Sequence, residues 1–447
     1  MAIFSKRTLQ RLLNENREIL SNDQVKDHVK KLNRANESSI STEWEVVLIN
    51  IFSKIFKLVY EPGNLGGKSR CDLLINLKND PKQSFLADIC TVSDEGYENE
   101  NHYKAFDNEL TRYLKKYKLN QKNFSCEIGG NAEGAFNKKK MKLKIPPKKY
   151  FYKIFNVDFK KFLSNIANEP SRDFSFSLET EEIKIFIRYN PNQEYFMSHH
   201  PSYTTAYSLE KNPIYNSLKR KCKQLKESGF NGPLGILICD GGCHSMRDKG
   251  YSGLWCSVDD IVSHFFKKNS SILFIITFTI ERVKKASYGI MGIPDLKMKI
   301  YTNQSTVDKL DIKMVQCLKN LIQFFPKPVN DADNAINFLK SVYRKTGKSF
   351  YGGFKMTGST LKISSRSLLE LLAGRINQDK FFKDYGFIPN EVHPNNKNIF
   401  ELRLKEGRLI EDIKIEKSQD EDDDWIVIKF GNPDPAIYRF ISNGLST

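Results

Sequence analysis

The chain has no apolar run long enough to cross a membrane. Its longest, around residues 272–276, falls far short of the roughly 18–20 residues a spanning helix requires. The N-terminal MAIFSKRTLQRLLNENREIL lacks the apolar block of a signal peptide. The eight cysteines, Cys71, Cys90, Cys126, Cys222, Cys239, Cys243, Cys256 and Cys317, are not grouped at framework spacings, which argues for reduced thiols in a cytoplasmic protein. Only Cys239, Cys243 and His244 tempt a zinc reading, and no second ligand pair follows at the spacing such a site needs. No internal repeat is evident. Acid is also scarce: 53 Asp and Glu against 70 Lys and Arg leave a net charge of +17 over 447 residues. Such an excess favours polyanionic partners, nucleic acid first, and says nothing about chemistry.

What is present, 40% apolar residues over a length that suits two to four domains, excludes wholesale disorder. Residues 5–36 carry helical spacing at Leu9, Leu12, Leu13, Ile19 and Leu20, which predicts two short helices. After Ser41 and Thr42, a plausible N-cap, Trp44, Val47, Leu48, Ile51, Phe52, Ile55 and Phe56 predict a buried amphipathic helix. Strands are expected over 70–77 and 84–93, with a polar helix over 99–119. Ten lysines against one acid, Asp158, lie between Lys138 and Lys161, interleaved with Tyr150, Phe151, Tyr152 and Phe155. That composition suits phosphate contact with base stacking, but equally a solvated loop with core aromatics. Lys138, Lys139, Lys140, Lys142, Lys148 and Lys149 are the candidate nucleic-acid contacts. Asn212-Pro213 opens a helix to about residue 228, the wholly apolar 234–239 reads as a buried central strand, 257–268 as a capped helix and 271–279 as another buried strand. Beyond residue 305 the text is mainly helical, then strand-like at 400–404 and 425–430, and the acidic run 420–424 reads as a solvated loop.

Three carboxylates stand where apolar residues should. Glu45 shares a helix face with Leu48, Ile49, Phe52 and Phe56, whereas Glu43 points to the wetter side of Asn50 and Lys54. Asp72 interrupts an apolar strand at its start. Asp88 alternates with Leu86, Cys90 and Val92 on one strand face, an expensive place for a charge. Each alone has a structural explanation as a cap, a turn or a buried network. Together they form an oxygen-rich set of the kind Mg²⁺ prefers, Mn²⁺ being able to substitute.

The order helix Glu45, hairpin Asp72 after Gly66-Gly67-Lys68-Ser69-Arg70-Cys71, then Asp88-Ile89-Cys90 resembles the PD-(D/E)xK nuclease superfamily over residues 41–97 and 211–280. The resemblance implies an α/β restriction-endonuclease-like core, a mixed sheet flanked by helices, from residues 41–97 and 201–300. A helical lead (1–40), a basic insertion (98–200) and a C-terminal α+β domain (301–447) complete the expected organisation. One departure matters: Cys90 stands where the family has its lysine. Some members carry that lysine on the following helix, and here Ile214, Leu218, Lys221 and Leu225 share one helical face, so Lys221 is the candidate; a lysine snorkelling from the edge of an apolar stripe looks the same. Lys219 and Lys223 point more outward, and Gln224 and Asp240 are weaker candidates for the edge of the site.

The activity implied is metal-dependent phosphodiester hydrolysis, with Glu45, Asp72 and Asp88 on Mg²⁺ and Lys221 supplying positive charge. The expected substrate is double-stranded DNA ahead of RNA, in bacterial restriction or phage defence, with a homodimer or a defence-system protein as possible partners and no membrane. Two other readings stay open: a nucleic-acid-binding module that has lost catalysis, and a scaffold for an acidic protein. The salt dependence of polynucleotide binding separates the last.

Overall fold

A computed structural model of the chain describes residues 3–34, 37–63, 65–78, 80–134, 140–247, 255–283, 292–304, 312–336, 355–385, 387–388, 397–418 and 423–434. Ser5 and Ser21 stand before helical text and cap the first two helices, α1 (Lys6–Glu15) and α2 (Asn22–Leu32). Ser5 Oγ accepts from the Thr8 N–H at 3.1 Å, and Ser21 forms a capping box with Gln24. The next helix, α3 (Glu37–Ile55), starts ahead of the expected cap, so Thr42 lies inside it and donates to the Ser38 carbonyl at 3.0 Å. Trp44, Val47, Leu48, Ile51 and Phe52 are buried as their spacing predicts. The two glutamates exchange roles: Glu43 is the buried one, its Oε2 accepting from the N–H groups of Ile3 at 2.9 Å and Phe4 at 3.3 Å.

The chain divides into two units, Met1–Asn50 with Gly292–Pro294 and Phe325–Thr447, and Ile51–Met291 with Asp295–Phe324. The helical lead and the C-terminal residues thus belong to one unit, tied by Arg7 to Asp424 at 2.7 Å and by the Val329 N–H to the Ile3 carbonyl at 2.8 Å. The boundary falls within α3 rather than at residue 41.

In the second unit β1 (Phe56–Tyr60), β2 (Leu73–Leu77) and β3 (Asp80–Val92) form an antiparallel meander. Helix α4 (Glu95–Asn101) and helix α5 (Tyr103–Lys116) replace the single helix expected over 99–119, because His102 takes a left-handed φ of 53° between them. Next comes the insertion: β4 (Phe124–Ile128), β5 (Gly130–Glu133), β6 (Lys140–Leu143), α6 (Val157–Asn168), β7 (Phe174–Glu179), β8 (Lys184–Tyr189) and β9 (Met197–His199). It is no loop. Its sheet runs β7-β8-β4-β9, β5 pairs with β6, and Phe106, Leu110, Phe124, Ile154, Phe159 and Ile187 fill a core of its own. Strand β8 shows why: Ile185, Ile187 and Tyr189 alternate inward while Lys184, Phe186 and Arg188 face water.

The chain returns to the main sheet through α7 (Pro213–Lys226), β10 (Leu234–Asp240), α8 (His244–Arg247), α9 (Val258–Lys268), β11 (Ile272–Val283) and β12 (Ile293–Thr302), giving the order β1-β2-β3-β10-β11-β12. β10 is parallel to both β3 and β11, and all seven of its residues are buried, as an apolar strand between covered faces requires. One covered face packs Leu86, Cys90 and Ile236 of the sheet against Leu218, Cys222 and Leu225 of α7 and Ile261 and Phe265 of α9. Asn212 caps α7 by accepting from the Tyr215 N–H at 2.8 Å. Helix α10 (Ile312–Asn320) follows.

In the first unit the C-terminal sheet, β13 (Lys355–Thr357), β14 (Thr360–Ser364), β16 (Trp425–Phe430) and β15 (Ile410–Glu416), is antiparallel in that order. The expected strand at 400–404 is a helix, Ile399–Lys405: Asn398 Oδ1 accepts from the N–H groups of Phe400 and Glu401, so helix capping wins over apolar content. Of the acidic run, residues 420–422 lie outside the described residues. Asp423 accepts from Ser364 Oγ and from the Arg366 N–H, so it anchors a helix start rather than merely meeting solvent. Among the described residues no helix is long and apolar enough to cross a membrane. The observed class is α/β with mixed sheets.

Candidate active site

The segment before β2 lies against the C-terminal end of α7, and two glycines make that possible. A Cβ on Gly67 would stand 2.1 Å from the Glu227 carbonyl oxygen, and one on Gly229, at φ +79°, would stand 2.6 Å from the Gly67 nitrogen. The N–H groups of Lys68 and Ser69 donate to that Glu227 carbonyl at 2.8 and 3.2 Å, and Gln224 Nε2 donates to the Arg70 carbonyl at 2.6 Å. The clamp fixes where the chain enters β2. Asp72 is the residue delivered.

Asp72 and Asp88 then hold each other through the backbone. The Asp72 N–H donates to Asp88 Oδ1 at 2.9 Å, and the Ile89 N–H donates to Asp72 Oδ2 at 2.7 Å. From α7, Lys221 reaches both carboxylates, its Nζ 3.3 Å from Asp72 Oδ2 and 3.6 Å from Asp88 Oδ2. Lys221 is 12% exposed, Asp72 21% and Asp88 not at all. Asp88 Oδ2 makes no hydrogen bond despite its burial, and the group that faces it is the Lys221 ammonium at 3.6 Å.

Burial pushes the Asp88 carboxyl up to about 7, the negative charge of Asp72 adds to the rise, and Lys221 opposes it. Burial works to lower the Lys221 ammonium, but the charges of Asp72 and Asp88 outweigh it and its pKa rises. The scale supports that balance: a unit charge pair about 3.5 Å apart is worth about 5 kcal/mol at an effective dielectric of about 20, comparable to the several kcal/mol of burying one ion. Lys221 therefore stays charged. Burial holds the thiols of Cys90 and Cys71 at about 12, so both remain neutral and neither replaces a lysine.

The tertiary structure thus brings Asp72, Asp88 and Lys221 together. Glu45 belongs to the other unit, where it faces the buried His28, Oε2 to Nε2 3.5 Å. Among the described residues no group of three or more His, Cys, Asp or Glu side chains could hold a metal ion, so the expected three-carboxylate cluster is not formed there. Two carboxylates remain, which suits Mg²⁺: that ion keeps several waters and commonly takes one or two protein carboxylates alongside substrate phosphates. Asp88 Oδ2, which has no hydrogen bond to give up, fits such a cation.

Lys219 and Lys223 are exposed, as expected, and Lys223 lies 3.8 Å from Glu227. Gln224 meets the site only through the Arg70 carbonyl. Asp240 organises a different loop: its Oδ1 accepts from the N–H groups of Gly242 and Cys243, and Arg247 Nε stands 3.4 Å from Oδ2. Of the candidate nucleic-acid contacts, Lys138 and Lys139 lie outside the described residues. Lys140 pairs with Glu100 and sits 5.5 Å from the Tyr97 ring centroid, Lys142 is 3.6 Å from Glu133, and Lys148 and Lys149 are exposed. The sequence reading missed the clamp of Gly67, Gly229 and Glu227, for which Gly66-Gly67 and Gly229 were the only signals. Comparison with family models, with curated proteins and with solved structures finds no match to this chain.

Proposed function

We propose that the protein hydrolyses phosphodiester bonds of DNA in a divalent-metal-dependent reaction, as a nuclease of the PD-(D/E)xK kind with its lysine on a helix. The observation that carries this is the reach of Lys221 Nζ to both Asp72 and Asp88, at 3.3 and 3.6 Å, from an element separate from either strand. Asp72 and Asp88 would hold Mg²⁺ or Mn²⁺, Asp88 through its Oδ2, which makes no hydrogen bond. Such an ion, when bound, lowers the pKa of a coordinated water and draws charge from a phosphate. Lys221, kept charged by its two neighbours, offsets the negative charge that builds on the phosphate. Asp88 must first release its proton, since only the carboxylate competes for a cation. Glu45, facing His28, has no part in this reading.

The test is incubation of the purified chain with supercoiled plasmid and with RNA, in Mg²⁺, Mn²⁺ or EDTA. Metal-dependent nicking or linearisation of the plasmid is expected, with Asp72→Ala and Asp88→Ala inactive and Lys221→Ala slower by about two orders of magnitude, the cost of losing one transition-state donor. Polynucleotide binding should survive all three changes. Binding without cleavage in either metal overturns the proposal in favour of a non-catalytic nucleic-acid-binding module.

A further inference from the structure

We propose that the turn Lys148–Lys153 in the insertion is a stacking platform for unpaired bases, so that the nucleic acid engaged by this protein carries a single-stranded segment; the inference deepens the nucleic-acid reading above and rests on it. The six residues KKYFYK form one short 3-10 turn. Its middle aromatic, Phe151, points inward, 6.4 Å from the ring of Phe106 and 6.1 Å from that of Phe155, both core residues. That anchor turns the flanking tyrosines outward: Tyr150 is 37% and Tyr152 66% exposed, with ring centroids 6.4 Å apart. The sequence pattern of aromatics among lysines therefore resolves into one core ring between two surface rings.

Positive charge lies against Tyr150, leaving Tyr152 as the more exposed ring. Lys149 Nζ is 4.8 Å and Lys153 Nζ 5.2 Å from the Tyr150 centroid. Lys148 is exposed beside them, and the following helix α6 exposes Lys160 and Lys161. Acids are present as well: Glu182 pairs with Lys153 at 3.8 Å, and Asp158 lies in the first turn of α6. Every base has a π-face, so an exposed aromatic pair set among cations is suited to stack bases while lysines neutralise the backbone. A duplex cannot use the rings, because its bases are already stacked on one another. An anionic membrane would use the lysines, but an interfacial anchor inserts large apolar side chains, and here only Val157, 77% exposed, supplies aliphatic surface.

The experiment is fluorescence anisotropy of a labelled 20-nucleotide single strand and of its blunt duplex, in EDTA so that cleavage plays no part, beside sedimentation with vesicles of phosphatidylcholine and phosphatidylserine. Tyr150→Ala with Tyr152→Ala should weaken single-strand binding about tenfold or more and leave the duplex within about twofold, while the paired Phe substitutions retain affinity. Lys148→Gln with Lys149→Gln should lower the single-strand salt slope by about 0.7 for each phosphate no longer neutralised. Unchanged single-strand affinity in the double alanine variant overturns the proposal. So does vesicle binding that depends on the tyrosines while oligonucleotide binding does not. Because nothing is cleaved in EDTA, failure here leaves the nuclease reading standing, and loss of cleavage elsewhere leaves this one standing.

Discussion

Replacing Asp88 by Asn removes a carboxyl that the fold buries completely and whose Oδ2 makes no hydrogen bond. The wild-type group is raised from 3.8 to about 7, chiefly by burial. Between those values the folded protein holds a proton that the unfolded chain has released, so the group's contribution to stability falls as pH rises from about 4 to about 7. At about 1.36 kcal/mol per pH unit, the full swing is about 4 kcal/mol. Asn can still accept from the Asp72 N–H through its amide oxygen, and it does not titrate. Urea unfolding of the transition that includes β3, followed for both proteins at pH 5, 6, 7 and 8, should show the asparagine variant gaining on wild type by about 2–3 kcal/mol across that range, the rest of the swing lying below pH 5. Mg²⁺ should narrow the gap from the wild-type side, and more at pH 8 than at pH 6, because the metal competes with the proton for the carboxylate. A stability difference that stays flat with pH refutes the reasoning: Asp88 would then be ionised throughout, and Lys221 rather than burial would govern it.

Two further predictions concern the same cluster. Lys221→Met leaves two carboxylates facing each other without their cation, and should destabilise by about 3–5 kcal/mol at pH 8, the usual cost of breaking a buried pair. At pH 5, where Asp88 keeps its proton, the loss should be smaller, and calorimetry at the two pH values separates the cases. Gly67→Ala would drive a methyl group into the Glu227 carbonyl, 2.1 Å away, so the clamp must open. A loss of about 1–3 kcal/mol is expected, together with slower cleavage as Asp72 shifts. Gly63→Ala, which meets nothing within 4 Å, should be near neutral in the same urea titration.

Much of this chain was decided locally. The capped helices at Ser5, Ser21, Asn212 and Ser257 form where side-chain acceptors precede apolar periodicity. β10 sits at the centre of its sheet because a wholly apolar strand has nowhere else to go. Asp72, Asp88 and Lys221 stood out for a similar reason: each interrupts apolar text, and a charge in such a place needs a partner. What the sequence could not decide was which partner each would find. Glu43 and Glu45 lie two residues apart on a helix buried almost all round, so no face was free to rank them; the backbone N–H groups of Ile3 and Phe4, far away in sequence, took Glu43, and His28 took Glu45. The lysine-rich insertion hid a folded core because its charges lie on exposed positions between buried ones, and their count says nothing of which side they face. The meeting of Lys221 with Asp72, 149 residues earlier in the chain, and with Asp88 depends on α7 packing beside β3 and on two glycines that let the loop before β2 touch the helix end. Side-chain periodicity fixes which way a residue points within its element; what it points at is settled only when elements from distant parts of the chain pack together.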